Sequence, residues 1–236
     1  MTRLLSLLFM TLTALTCCAQ NNALVVYYSF TNNCKEIMET LTSQISADVL
    51  RIEPAKKGLD YAANGYALGS SLISAIRNNP NDESSYPAID AVTTDLSKYK
   101  TVIIVTPLWW SQMAAPMQTF LFKYGSQLAG KNIGLIVSSH SSGISGVESD
   151  CKRLVPTSSC TYFSKSLWIN NSGHSNRSSL IATWLTDVSY SSLTAVNNVK
   201  ADGQSKQNIL YAINGQRLDK MPVKGIYIEN GTKKTK

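Results

Sequence analysis

The run Thr101-Val102-Ile103-Ile104-Val105 consists entirely of β-branched residues and gives the strongest strand signal in the chain. Strands that are apolar along their whole length are typical of the interior of a parallel sheet with helices on both faces. Two further runs, Leu24-Val25-Val26-Tyr27-Tyr28 and Ile133-Gly134-Leu135-Ile136-Val137, share this character. The three runs therefore predict the central strands of an α/β domain.

Helical patterns alternate with these strands and with two weaker ones. The weaker strands are predicted at Val49–Ile52 and Thr161–Ile169. Helices are predicted at Ile37–Ile45, Tyr61–Arg77, Met113–Tyr124, Val147–Leu154 and Leu180–Val188. This alternation predicts a doubly wound, five-stranded parallel sheet with helices on both faces, in a domain that spans residues 20–189.

Three loops that follow predicted strands hold the candidate binding residues. Ligands of doubly wound sheets bind beyond the carboxyl ends of the strands, where the strand order reverses. The first loop contains Ser29, Thr31, Asn32, Asn33 and Cys34. The second contains Pro107, Leu108, Trp109 and Trp110, and the third contains Ser139, His140, Ser141, Ser142 and Gly143.

The first loop runs from a strand into a helix. Hydroxyl groups and backbone N–H groups at a helix N-terminus can bind an anion without lysine or arginine, and the plainer alternative is helix capping by Thr31 or Asn33. Asn32 is a residue that tolerates the left-handed conformation. We interpret Cys34 as a substituted polar position rather than a nucleophile, although a helix start could lower its pKa.

The second and third loops suit a planar ligand. Trp109 and Trp110 are costly to leave in water, so a flat aromatic ligand or the end of the sheet should cover them. Neighbouring side chains point in different directions, and we expect one indole to be buried and one to lie at the site. The small residues of the third loop either let backbone amides approach a planar ligand or form a simple flexible connection.

Taken together, residues 24–187 resemble the flavodoxin-like family. Tyr28–Lys35 resembles the family's FMN-phosphate loop. Thr106–Trp110, with Pro116 and Thr119-Phe120-Leu121, resembles the Trp-Trp segment of one flavodoxin branch, and Ser139–Gly146 resembles that branch's third loop. The resemblance implies non-covalent FMN. It places the phosphate at Ser29, Thr31 and Asn33, an indole of Trp109 or Trp110 beside the isoalloxazine, and His140–Gly143 near its polar edge.

The loops also depart from the family pattern. Asn32 and Cys34 stand where the family usually has Gly and Thr, and Ser141 and Ser142 replace glycines. Two functions therefore stay open. The first is an FMN protein that transfers electrons or reduces a small acceptor such as a quinone. The second is a flavin-free protein that keeps the fold to bind another ligand or a partner protein. A hydrolase is disfavoured, because no general base stands at a matching spacing.

Both ends of the sequence carry patterns typical of exported proteins. In residues 1–19, Arg3 precedes an apolar stretch, which predicts a signal peptide and a place in the periplasm, outer membrane or cell surface. Cys17-x-Ala19 favours cleavage before Gln20, whereas a lipobox-like reading would leave a lipidated, membrane-attached Cys18. A polar linker is predicted over 190–207. Residues 208–236 predict a short β appendage that resembles the C-terminal sorting modules of exported bacterial proteins.

Composition excludes several classes of partner. The chain is 44% hydrophobic and 16% charged, so it should bury a core rather than remain disordered. Its net charge of +7 comes from scattered residues, and we expect no nucleic-acid partner. His140 and His174 lack a second ligand at helical or turn spacing, so no metal site is expected. Whether Cys151 and Cys160 form a disulfide is open, and the redox partner or acceptor is not identified.

Overall fold

The strands of the N-terminal unit are β1 (Ala23–Tyr27), β2 (Asp48–Arg51), β3 (Thr101–Trp109), β4 (Gln112–Met113), β5 (Asn132–Ser138), β6 (Thr161–Tyr162) and β7 (Leu167–Ile169). Its α-helices are α1 (Asn33–Thr42), α2 (Ala63–Asn78), α3 (Ala115–Tyr124), α4 (Ser145–Leu154) and α5 (Arg177–Asp187). The structure is a computed structural model that describes residues 22–191, 210–212, 217–218, 226–229 and 232–235.

The parallel sheet has the order β2–β1–β3–β5–β6, with β4 folded back on β3 and β7 beside β5. Alternate residues of the central strands enter two apolar clusters, one on each face. Leu24, Val26 and Ile104 pack with residues of α3 and α4, whereas Val25 and Ile103 pack with residues of α1 and α5. The predicted doubly wound sheet is therefore confirmed, with helices on both faces.

The fifth strand was predicted as one continuous strand over Thr161–Ile169, but the structure divides it into two. Tyr162 pairs with Ile133 of β5, and Leu167 pairs with Ile136. The fifth-strand segment therefore uses five residues over a stretch in which β5 uses three. At this irregularity the Phe163 ring packs over Gly134, where an added Cβ would lie 2.8 Å from Phe163 Cε2. The edge of the sheet is divided into β6 and β7.

A second unit covers the C-terminal part of the chain. Its strands are β8 (Leu210–Ala212), β9 (Arg217–Leu218), β10 (Ile226–Glu229) and β11 (Thr232–Thr235). They pair antiparallel in the order β11–β10–β8–β9, which confirms the β character of the appendage. The signal peptide and most of the proposed linker lie outside the described residues. Within the described part, no helix is long and apolar enough to span a membrane.

Candidate functional site

A cleft of ≈ 530 Å³ lies at the carboxyl ends of the parallel strands. Its size falls within the range usual for small-molecule and cofactor sites. The cleft is lined by Ser29, Phe30, Thr31, Asn33, Cys34, Tyr61, Tyr66, Gly69, Pro107, Leu108, Trp109, Trp110, Ser138, Ser139, His140, Asn170, Asn171 and His174. The structure thus brings together residues from all three loops that the sequence singled out.

Four of the candidate residues do not line the cleft: Asn32, Ser141, Ser142 and Gly143. Asn32 has a φ of 67°, so the left-handed conformation expected of it is confirmed. Ser141, Ser142 and Gly143 are exposed in the connection between β5 and α4. A role in ligand binding for these four stays a prediction, whereas the remaining candidates form a common wall.

The first loop presents the start of α1 to the cleft. Asn32 occupies the N-cap position, and its side chain makes no capping hydrogen bond. Ser29 Oγ accepts the backbone N–H of Lys35 at 3.3 Å. The N–H groups of Asn33 and Cys34 belong to the first helical turn, where N–H groups have no intrahelical partner. This part of the cleft therefore offers donors and a positive dipole end to an anionic group.

Cys34 is 2% exposed and packs in the apolar cluster that contains Val25 and Ile103. Burial raises the pKa of its thiol well above the usual range, despite a hydrogen bond with Ser138 that lowers it. The expectation that the helix start could lower this pKa is therefore wrong, because desolvation dominates. A neutral, buried thiol cannot serve as a nucleophile. It also adds no negative charge beside an anion.

Burial of Cys34 and Cys151 should lower the free energy of unfolding at alkaline pH. Both are free thiols in the structure, as is Cys160. Desolvation raises the pKa of Cys151 to about 12, from 9.0. Above pH 9 the unfolded chain loses the thiol proton while the folded chain keeps it, so the free energy of unfolding falls with rising pH. Each thiol contributes up to about 1.4 kcal/mol per pH unit.

Denaturant unfolding of Cys34→Ala at about pH 8, 9 and 10 tests this effect. Its stability should fall less steeply above pH 9 than that of the unsubstituted chain, by up to about 1.4 kcal/mol per pH unit, whatever the variant's stability at pH 8. Buried tyrosines contribute equally in both proteins. Parallel pH curves would show that the Cys34 thiol ionises as readily in the folded protein as in the unfolded one.

Both indoles of the second loop line the cleft, so the expectation of one buried and one at the site is wrong. Trp110, with a φ of 47°, and Ser111, with a φ of 63°, form the two-residue turn between β3 and β4. Such left-handed hairpin turns usually hold Asn-Gly, because a bulky side chain is strained there. The turn leaves Trp110 40% exposed, with its ring packed on Gly69.

Trp109 is the less exposed of the two indoles, which together with Tyr61 form an aromatic wall of the cleft. Its ring centroid lies 5.7 Å from that of Tyr28, edge to face, and 4.9 Å from that of Tyr61. Tyr28 is held in the main core cluster and Tyr61 is 4% exposed. Trp109 is therefore fixed on two sides, and the wall is preorganised for a flat ligand.

Sequence reasoning missed two groups of lining residues. Asn170, Asn171 and His174 follow β7, so the rule that ligands bind at strand ends would have found them had it been applied to the fifth strand. Tyr61, Tyr66 and Gly69 lie in or just before α2, which no strand-end rule indicates. In α2, Asn64, Gly65 and Tyr66 have left-handed dihedral angles, and Asn64-Gly65 was the available signal for that turn.

One polar atom in a residue of the cleft wall, His174 Nε2, is buried without a hydrogen-bond partner among the described residues. Burial raises the pKa of Tyr61, so its hydroxyl stays neutral. An unpaired buried polar atom is costly in a native protein and calls for an explanation such as a bound group. The described residues bring together no cluster of His, Cys, Asp and Glu that could hold a metal ion.

The strand order reverses between β1 and β3, and the cleft lies at their carboxyl ends. This is the switch point at which doubly wound α/β proteins bind nucleotides and flavins, and it defines the general class of the chain. More particularly, the chain belongs to the flavodoxin family, whose model matches residues 22–188 of the 236.

Solved structures share the fold. Proposed flavoproteins of Bacteroides eggerthii and Bacteroides uniformis are each 23% identical to this chain, with TM-scores of 0.55 and 0.52. The matches cover 72% and 69% of this chain and 99% and 98% of theirs. A Lactobacillus acidophilus flavoprotein solved in complex with FMN is 18% identical, with a TM-score of 0.53, and covers 67% of this chain and 99% of its own. No curated protein matches the chain.

Proposed function

We propose that the cleft binds FMN and that the protein is an exported flavoprotein which transfers electrons or reduces a small acceptor such as a quinone. One observation carries the proposal: a single cleft joins the donor-rich start of α1 to a fixed aromatic wall at Trp109. FMN has a matching phosphate and planar ring. Membership of the flavodoxin family and the FMN complex of the L. acidophilus relative support the same choice.

The residues present fit FMN. The cleft of ≈ 530 Å³ has room for a cofactor of this size, and its aromatic wall at Trp109 suits a planar ring. Ser29, Thr31 and Asn33 would hold the phosphate together with the first N–H groups of α1. Trp109 and Trp110 would flank the ring and exclude water from one face. When bound, the flavin supplies the hydride or electron transfer, and the protein sets its position and potential.

The departures from the family pattern are compatible with this cleft. Asn32 adopts the left-handed conformation for which glycine is usual, and asparagine tolerates it. Its side chain does not line the cleft, and neither do those of Ser141 and Ser142. These substitutions therefore leave the cavity open.

Export and surface attachment belong to the same proposal. The signal peptide and the lipidation or cleavage alternatives at Cys18 and Gln20 fall outside the described residues, so their support is the sequence alone. The antiparallel C-terminal strands supply the β appendage that a sorting module requires. A small redox partner or acceptor outside the cytoplasm would then meet the exposed edge of Trp110.

Titration of the purified protein with FMN tests the function. The protein should retain a visible flavin spectrum through desalting. At free FMN of about 100 times the dissociation constant, its stability should rise by about 2.7 kcal/mol. For a protein of this size, such a gain raises the melting midpoint by about 5–10 °C. Trp109→Ala should weaken FMN binding at least about tenfold, whereas Trp109→Phe should keep most of it.

The melting midpoint of each variant without FMN separates lost contacts from lost folding. A colourless protein whose midpoint ignores FMN would overturn the proposal. Stabilisation of that protein by some other ligand would favour the flavin-free alternative. Equal FMN affinity in Trp109→Ala and the unsubstituted protein would move the flavin ring away from this wall.

A further inference from the structure

The net positive charge of the protein is concentrated in its C-terminal unit, residues 195–236. Basic residues occur along the whole chain, but residues 20–194 contain thirteen of them against twelve acidic ones, a formal net charge of +1. Residues 195–236 contain eight basic and three acidic residues, a net charge of +5. The shorter unit therefore carries nearly all of the net charge found outside the predicted signal peptide.

This excess of charge is not compensated within the C-terminal unit. Its three acidic residues can neutralise only three of its eight basic ones, which leaves five positive charges. Lysine and arginine are almost never buried unless they are paired. The unit should therefore attract anionic partners over a distance of roughly 10 Å at about 0.1 M salt.

The sheet of this unit has a basic residue on each of its two outer strands. In the order β11–β10–β8–β9, the outer strands are β11 and β9. Lys233 of β11 pairs with Ile228 of β10, Ile228 pairs with Tyr211 of β8, and Tyr211 pairs with Arg217 of β9. One register row across the four strands thus begins and ends with a basic residue and has isoleucine and tyrosine between them.

Anionic lipid headgroups fit this combination better than nucleic acid does. Basic residues that accompany aromatic and apolar ones are typical of segments that bind at the lipid–water interface. Each Lys or Arg near an anionic bilayer strengthens binding about fivefold. The predicted signal peptide also directs the protein away from the compartment that holds the cell's nucleic acids.

We propose that the C-terminal unit binds the anionic headgroups of a lipid bilayer and so holds the protein at a membrane surface. The inference goes beyond FMN binding, since the residues that line the cleft belong to the N-terminal unit. Only the side of the membrane at which it acts rests on the proposed export. A lipid-soluble acceptor such as a quinone resides in the same bilayer, so membrane binding would raise its concentration near the redox unit.

Co-sedimentation of the purified protein with lipid vesicles tests the inference. The protein should bind vesicles of phosphatidylcholine and phosphatidylglycerol in equal parts, and should not bind vesicles of phosphatidylcholine alone. Raising NaCl from about 0.05 M to about 0.5 M should weaken binding at least about tenfold, because salt screens the attraction. The triple variant Lys233→Gln, Lys234→Gln, Lys236→Gln should weaken it at least about tenfold at low salt.

The matched control removes the same charge from the N-terminal unit. The triple variant Lys56→Gln, Lys98→Gln, Lys152→Gln alters three exposed lysines and should change vesicle binding less than about twofold. The melting midpoints of both triple variants should stay close to that of the unsubstituted protein, which separates lost binding from lost folding. Their FMN affinities should also be unchanged.

The outcomes separate this inference from the proposed function. If the protein binds FMN but not anionic vesicles, the inference is overturned and the FMN function stands. Equal binding to neutral vesicles, or an equal loss in the two triple variants, would also overturn it. Tighter binding to a DNA duplex than to anionic vesicles would replace the lipid partner by nucleic acid. Selective vesicle binding by a protein that binds no flavin would support the inference and overturn the proposed function.

Discussion

Gly146→Ala is expected to lower the free energy of unfolding by about 3 kcal/mol and to weaken FMN binding. Gly146 lies in the first turn of α4, against the turn that holds Trp110. An added Cβ would be 1.9 Å from the carbonyl oxygen of Ser111 and 3.1 Å from its carbonyl carbon. Because both are backbone atoms, no side chain can swing aside. Either α4 or the Trp110–Ser111 turn must move.

Gly143→Ala is the matched control, since Gly143 lies in the same connection and has nothing within 4 Å of an added Cβ. Its denaturant midpoint should match that of the unsubstituted protein. At about 2–4 °C per kcal/mol, Gly146→Ala should melt about 6–12 °C lower. Equal stability of the two variants would mean that the helix and the turn are not packed as tightly as the structure has them.

Asp150→Ala is expected to lower the free energy of unfolding by about 3 kcal/mol. Asp150 is buried in α4, and its Oδ2 accepts the backbone N–H of Met113 at 2.9 Å. Its Oδ1 lies 3.2 Å from Arg153 Nη2, which also donates to Gln118 Oε1 at 2.8 Å. Removing the carboxylate leaves a buried N–H unpaired and takes away the anion beside a half-buried guanidinium.

Ser149→Ala, at an exposed position of the same helix, controls for changes in helix propensity and should differ by less than about 0.5 kcal/mol from the unsubstituted protein. Asp150→Asn keeps an acceptor for Met113 and should lie between the two. Denaturant unfolding at neutral pH measures all three. A loss in Asp150→Ala no larger than that in Ser149→Ala would show that water replaces the carboxylate at no cost.

The parallel sheet was predictable because its central strands are buried on both faces, which leaves uninterrupted apolar runs such as Thr101–Val105 in the sequence. The division of the last strand was not. It accompanies the packing of Phe163 over Gly134, a contact between residues distant in the sequence that no local pattern records. Helix positions were predictable for a different reason: α1 and α4 each bury one side, which leaves apolar residues at helical spacing in the sequence.

Site residues at the ends of strands could be predicted from the sequence, whereas those brought to the cleft by side-chain packing could not. The loops after β1 and β5 were identified by their position at strand ends, and the segment predicted as the second loop instead forms the end of β3, at Pro107–Trp109, and the turn that follows. Tyr61 reaches the cleft only because its ring packs against Trp109 and Phe30. The Trp110–Ser111 turn carries none of the Asn-Gly signal usual for its geometry, so the placing of both indoles in the cleft could not be deduced.

The strand order also determines when the chain can complete its core. β1 lies between β2 and β3, and its residue Ala23 pairs with Thr101, 78 positions later. While the ribosome is still producing the segment between them, one edge of the most apolar N-terminal strand has no neighbour. Such long-range pairing slows folding, and open strand edges invite aggregation. The nascent chain, rather than the finished protein, is thus the form most in need of a chaperone.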